Sequence, residues 1–205
     1  MPIRIHSADV HEVVLPPPVL LRGGSPPTFQ SQDDPVWCWA ACVEMVVKHF
    51  GVATDEQCQI AIKGLKAAGQ NTAGITCCNA VNRPNDENQC KTPLGDAAIT
   101  ALWRTYNPLN LPNGLAMQHQ DGLLQTDPLK QELNALHLVE AGFIDGTVRH
   151  VVIIFGWTKN ADQKDVIVLH DPENHPEVSI LASAIGNQSF LGKWGATWIL
   201  SKSSV

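Results

Sequence analysis

One apolar helix with a cysteine at its leading end constrains the rest of this 205-residue chain more than any other stretch. In the run Asp33-Asp34-Pro35-Val36-Trp37-Cys38-Trp39-Ala40-Ala41-Cys42, continuing to Phe50, Asp34 is a capping residue type. Pro35 suits the first helical position, where a missing amide hydrogen costs nothing. The pattern predicts a helix from Pro35 to about Phe50, stopped by Gly51, with Cys38 in its first turn. Val36, Ala40, Val43 and Val47 recur at helical spacing, as do Trp39, Cys42, Val46 and Phe50, so the helix should be central and largely buried. Glu44 and Lys48 form an i,i+4 pair on the expected wet side. Backbone amides and the positive dipole end at a helix start favour a thiolate over a thiol, and the thiolate is the nucleophilic form. Asp33 and Asp34 oppose that effect, so a basic partner must come from elsewhere in the chain. Helix position alone does not make Cys38 a nucleophile, because a buried cysteine also serves as a small core residue.

A hydrophobic content of 44% over this length is enough for one domain with a substantial core. The net charge of -6 argues against a nucleic-acid or anionic-membrane surface, which needs clustered Lys and Arg. No apolar run is long enough to span a bilayer, and Met1-Pro2-Ile3-Arg4-Ile5-His6 lacks the character of a secretory signal. The expectation is a protein secreted or delivered by a signal-peptide-independent route, or otherwise cytoplasmic. Residues 1–34 read as an extended arm, since Pro16-Pro17-Pro18 and Pro26-Pro27 force extended backbone. The folded domain is expected over residues 35–205.

Thr54-Asp55-Glu56-Gln57 fits a capping box opening a second helix to about Ala68. Residues 69–93 read as a long loop, which needs fastening inside a compact domain. With Cys38 and Cys42 set aside, Cys58, Cys77, Cys78 and Cys90 allow two bridges in three connectivities, although adjacent Cys77 and Cys78 are poor partners for each other. Bridges would imply an oxidising compartment. The spacing lacks the paired signature of structural zinc, so no metal is expected. A third helix follows Pro93-Leu94-Gly95-Asp96, then a loop with Pro108, Pro112 and Gly114, then a helix opened by Asp127-Pro128. From Leu138 onward, 138–144, 150–157, 166–169, 178–181 and 196–200 read as strands.

His150 stands at the start of the most apolar of these strands, where a neutral imidazole could take a thiol proton. Asp171 ends the next strand, in Leu169-His170-Asp171-Pro172, and could fix the imidazole tautomer. His137, His170 and His175 are rival bases, and Asn174 is the second candidate for the orienting role. His170 alternates with Asp171 along the strand and should face away from it.

Gln32 six residues before Cys38, Trp39-Ala40-Ala41 after it, His150 before an apolar strand with Gly156-Trp157, and Asp171-Pro172 come in that order. Together they resemble the papain-like cysteine proteases. Pro35-Val36-Trp37 replaces the small, cysteine-containing run of papain itself, and Asp171 replaces its asparagine. The sequence looks closer to the bacterial branch of effector proteases and bacteriocin-leader peptidases. The resemblance implies an α+β fold in which an N-terminal helical half, with a central nucleophile helix, packs on a C-terminal antiparallel sheet. It implies Cys38 as nucleophile, His150 as base, Asp171 as its partner and Gln32 as an oxyanion donor, working without cofactor. It further implies a monomer acting on polypeptides, with a bacterial toxin or effector role and a cognate inhibitor or immunity protein as partner. The same triad serves a transglutaminase-like or acyltransferase enzyme, and an idle binding module is the third alternative. Leu20-Leu21-Arg22-Gly23-Gly24 resembles the double-glycine sites of leader peptides, which makes self-cleavage after Gly24 conceivable beside the plainer reading of a glycine turn.

Overall fold

A computed structural model describes residues 25–78, 90–106, 114–146, 148–173, 175–185 and 191–203. The triple proline, the Gly23-Gly24 pair and Asn174 lie outside the described residues. Three helices come first: α1 (Cys38–His49), α2 (Gln57–Ala67) and α3 (Asp96–Thr105). Strands then alternate with two shorter helices: β1 (Leu115–Asp121), α4 (Thr126–Asn134), β2 (Leu138–Asp145), β3 (Val148–Lys159), β4 (Asp165–Asp171), β5 (His175–Leu181), α5 (Ala182–Ile185) and β6 (Lys193–Lys202). The strands form one antiparallel sheet in the order β1-β6-β2-β3-β4-β5. The α+β expectation holds, with helices before sheet.

Helix α1 is buried continuously from Cys38 to Val47, as its apolar circumference requires, and packs against both α2 and β3. It begins at Cys38, three residues later than the capping pattern suggests. Asp34 instead closes a turn, accepting from Val36 N at 3.1 Å on its side chain and from Trp37 N at 2.9 Å on its carbonyl. Pro35 is spent in that turn, and Cys38 becomes the first helical residue. A second correction concerns Glu44, which is 4% exposed rather than on a wet face. Its carboxylate is held by Lys48 Nζ at 2.6 Å and Gln57 Nε2 at 3.0 Å.

The sheet contains one strand where a loop was expected. Leu115-Ala116-Met117-Gln118-His119-Gln120-Asp121 has no β-branched residue and no clean alternation, and it pairs with β6 as an edge strand whose burial fades after Leu115. Strands β5 and β6 also each begin three residues before their apolar runs, because pairing with a neighbour carries polar ends into the ladder.

Apolar side chains pack on both faces of the sheet. Between helices and sheet lie Trp39, Leu65, Leu102, Trp103, Ile153, Phe155 and Trp198. On the other face Leu129 and Leu133 of α4 cover Val139, Phe143, Ile154 and Leu169. Two buried indoles find partners across elements: Trp198 donates to Thr100 Oγ1 at 2.8 Å and Trp37 to the Cys90 carbonyl at 2.8 Å. Of the three open connectivities the structure has Cys58–Cys78 and Cys77–Cys90, which tie the long loop to α2 and leave Cys38 and Cys42 free. Among the described residues no helix is long and apolar enough to cross a membrane.

Gly64 marks the closest approach of α2 to α1. A Cβ there would meet Trp39 Cη2 at 2.6 Å and Leu94 Cδ1 at 2.8 Å. Alanine is the better helix former by about 1 kcal/mol, whereas overpacking costs about 1–3 kcal/mol, and Trp39 is 2% exposed with little room to yield. Gly64→Ala is therefore expected to lower the urea midpoint at unchanged m-value. A raised midpoint would show that the indole moves aside at no cost.

Candidate active site

Cys38 opens α1, and no side chain caps the helix there, so the positive end of the helix is left to whatever lies in front of it. His150 is the third residue of β3 and Asp171 the last of β4. Because these neighbouring strands run antiparallel, the start of one and the end of the other share one end of the sheet. His150 Nε2 lies 2.8 Å from Asp171 Oδ1, with both side chains almost fully buried. A carboxylate on Nε2 leaves Nδ1 for another neighbour, and Cys38 is near enough to the imidazole to act on its charge.

The electrostatics are those of an ion-pair site. Burial works against a charged His150, but the hydrogen bond to Asp171, the interaction with Cys38 and the charges of both outweigh it, holding the imidazole protonated well above its ordinary value of 6.5. Burial also opposes ionisation of Asp171. Its bonds to His150 and the Glu173 amide, 3.0 Å away, hold the carboxyl below the usual carboxylate range. Cys42, one turn on, behaves oppositely. Complete burial, then the negative charges of Glu140, Cys38 and Asp171, push its thiol well up, and its Sγ–H donates to the Val151 carbonyl at 3.6 Å.

Two of the rival histidines are engaged elsewhere. His170 donates from Nε2 to the Pro27 carbonyl at 2.9 Å and accepts from Glu177 N at Nδ1, 3.1 Å away. It packs against Phe29 and Phe155, and so pins the segment before α1 onto β4. His137 Nδ1 is paired with Glu132 at 2.7 Å, on the turn after α4. His175 is exposed at the start of β5.

Gln32 comes to the same corner. Its backbone N–H donates at 2.9 Å to the carbonyl of Pro172, the residue after Asp171. Its side-chain oxygen Oε1 is buried with no partner, so no internal bond fixes which way the amide faces. Gln57 and Glu44, which sequence reasoning did not attach to this corner, flank it. Gln57 Oε1 accepts from Asp33 N at 2.8 Å and Gln57 Nε2 donates to the Ser31 carbonyl at 2.7 Å, bracketing Gln32 on both sides. A side-chain clamp between residues 24 and 26 positions apart leaves no local signature, and Gln57 was legible only as part of a capping box. The box itself is made by Glu56 and Gln59. Among the described residues no group of three or more His, Cys, Asp or Glu side chains is arranged to hold a metal.

The peptidase domain of Streptococcus ComA, a bifunctional ABC transporter involved in a quorum-sensing pathway, matches this structure with a TM-score of 0.51, covering 85% of this chain and 97% of that one. The fold is that of a papain-like peptidase. The two sequences are 13% identical, so the likeness is one of fold. No protein-family model matches the sequence, and no curated protein matches it. In this papain-like fold the helical half carries Cys38 and Gln32 and the sheet carries His150 and Asp171, so the candidate site spans the junction of the two.

Proposed function

We propose that the protein is a cysteine endopeptidase that hydrolyses peptide bonds through Cys38, His150 and Asp171. The reading is supported by one observation, the buried His150 imidazole bonded to the Asp171 carboxylate at 2.8 Å, with Cys38, the first residue of a helix, near enough to act on its charge. A raised imidazole basicity favours transfer of the thiol proton to His150, giving thiolate and imidazolium side by side. The thiolate attacks the peptide carbonyl. Negative charge then develops on oxygen, where the Cys38 backbone N–H and the Gln32 side-chain amide act as donors, each worth roughly 10²–10³ in rate. Gln32 Oε1 has no internal partner, so no bond on that end of the amide competes with donation to the oxyanion. The imidazolium gives its proton to the leaving amine, and Asp171 keeps the ring in register through both transfers. Water then attacks the thioester, His150 takes a proton from it, and the acid leaves with Cys38 restored. Cys42 takes no part, because its thiol is buried and bonded to a carbonyl.

Polypeptides delivered in an oxidising compartment are the proposed substrates, since two disulfides fit such a destination. The test is digestion of an unbiased peptide library followed by mass spectrometry, with Cys38→Ala as control. Wild type is expected to give products that have gained water, and Cys38→Ala none. Crosslinked or amine-modified products would assign the triad to acyl transfer instead. Cleavage unchanged in Cys38→Ala would overturn the assignment of the nucleophile.

A further inference from the structure

The strongest unassigned feature of the molecule is the buried Gln57 at the start of α2. It is 2% exposed, and both ends of its amide are used. Oε1 accepts from Asp33 N, while Nε2 donates to the Ser31 carbonyl and to Glu44 Oε2 at 3.0 Å. Glu44 is held in turn by Lys48 at 2.6 Å. The residue between the two clamped backbone groups is Gln32, and its own N–H is tied to the Pro172 carbonyl at 2.9 Å. A segment with no helix or strand of its own is therefore fixed on one side by a helix and on the other by the end of β4.

We propose that Gln57, supported by Glu44, is a positioning residue that fixes the backbone on both sides of Gln32 and so sets where its side-chain amide meets the oxyanion. This deepens the proposed function and rests on it. A glutamine is the side chain suited to the task. It offers one acceptor and one donor about as far apart as the carbonyl and amide of a peptide group, so it pairs with the 31–33 backbone as a neighbouring strand would. Glu44 supplies an acceptor for the second amide hydrogen, which fixes the orientation of the amide: reversing it would set the Gln57 carbonyl against a carboxylate. Gln57 and Glu44 are buried at the centre of the network with every amide and carboxylate group of the two paired, which makes it stiff. A preorganised donor is worth more than a mobile one, because no reorganisation is left for the moment of reaction.

The test is a double-mutant cycle between Gln57→Met, which keeps the volume and removes both bonds, and Gln32→Ala. Three quantities are read: kcat and KM on a peptide that wild type cleaves, the rate of Cys38 alkylation by iodoacetamide, and exchange of the Asp33 amide hydrogen. Gln57→Met is expected to lower kcat by about 10-fold or more with KM within about twofold, bounded by the roughly 10²–10³-fold loss for Gln32→Ala. Alkylation should stay within about twofold of wild type, since a saturated carbon electrophile forms no oxyanion, and Asp33 should lose exchange protection. In the Gln32→Ala background Gln57→Met should cost nothing more in kcat. Additive losses, or alkylation slowing in step with turnover, would overturn the proposal by showing a general disturbance of α1. Should Gln57→Met fail to fold, Gln57→Asn, one methylene too short to reach both backbone groups, takes its place in the cycle. A wild type that cleaves nothing would overturn the peptidase reading and the catalytic half of this one. Loss of Asp33 protection in Gln57→Met would still establish the clamp, and its retention would refute it.

Discussion

His150→Ala is expected to reduce kcat by about 10⁴-fold, a loss of roughly 5.5 kcal/mol in transition-state stabilisation. The physical reason is the position of His150 between two acidic groups. On the proposed reading it accepts the thiol proton on one side, while Asp171 holds it at 2.8 Å on the other, and His170, next to Asp171 on the strand, has both ring nitrogens engaged. The sign of the pH effect follows. In the wild type the imidazole is held protonated well above its ordinary value, and on the proposed reading its charge steadies a thiolate beside it. Without the ring, the sulfur must ionise unaided, and an ordinary thiol does so near 8.5, by the reference value for free cysteine. The rate of Cys38 alkylation by iodoacetamide, followed against pH by intact mass, should therefore be high and flat near neutrality in the wild type. In His150→Ala it should climb only in the alkaline range. Identical alkylation profiles would show that the imidazole does not govern the thiol.

The second large effect is expected at Glu140, a wholly buried carboxyl on β2. Trp103 Nε1 donates to its Oε2 at 2.5 Å, Oε1 has no partner, and among the described residues no lysine or arginine pairs with it. Burial pushes its pKa from 4.5 up to about 8, with the Trp103 bond pulling down and Asp96 adding to the rise. The unfolded chain releases this proton near the ordinary value, so folding takes one up between the two. The stabilising contribution is complete below pH 4.5 and is lost as pH rises through about 8. At 1.36 kcal/mol per unit, the swing is on the order of 5 kcal/mol. Glu140→Gln keeps the shape and an acceptor for the indole and has no proton to lose. Its unfolding free energy should lack this component of the pH dependence, falling below that of the wild type in acid and exceeding it in alkali. Urea titrations at about pH 5, 7 and 9 would read this directly, and parallel curves would show that Glu140 is charged in the folded protein.

Much of the architecture was legible because it rests on local regularities. Ten successive buried residues of α1 announce themselves by apolar spacing, and the β2 and β3 runs by their length and branching. Cys38, His150 and Asp171 could be singled out because each stands at a punctuated place, a helix start or a strand end, and Gln32 by its spacing from Cys38 in the papain-like pattern, and the structure brings them to one corner. What failed was decided by distant partners. Strand β1 has a poor strand composition and exists because β6 offers it a ladder. Pro35 looked like a helix start, but the turn closed by Asp34 claimed it first. Glu44 matched a surface ion pair by spacing, yet the approach of Gln57 from α2 buried it. Glu140 passed as one polar residue in a strand, and only packing of α3 over the sheet makes it a proton store.

The two cross-links have a further implication for where such a molecule can work. Trp37 immediately precedes Cys38, and its indole leans on the carbonyl of Cys90, whose sulfur is joined to Cys77. Four sulfurs must therefore stay paired while a fifth, on the proposed reading, stays bare. Surroundings oxidising enough to convert Cys38 to a sulfenic acid stop the chemistry, and surroundings reducing enough to open Cys77–Cys90 release the strap that steadies the leading end of the helix. Such a molecule is confined to a band of ambient electron pressure, quiet at both extremes and competent between them.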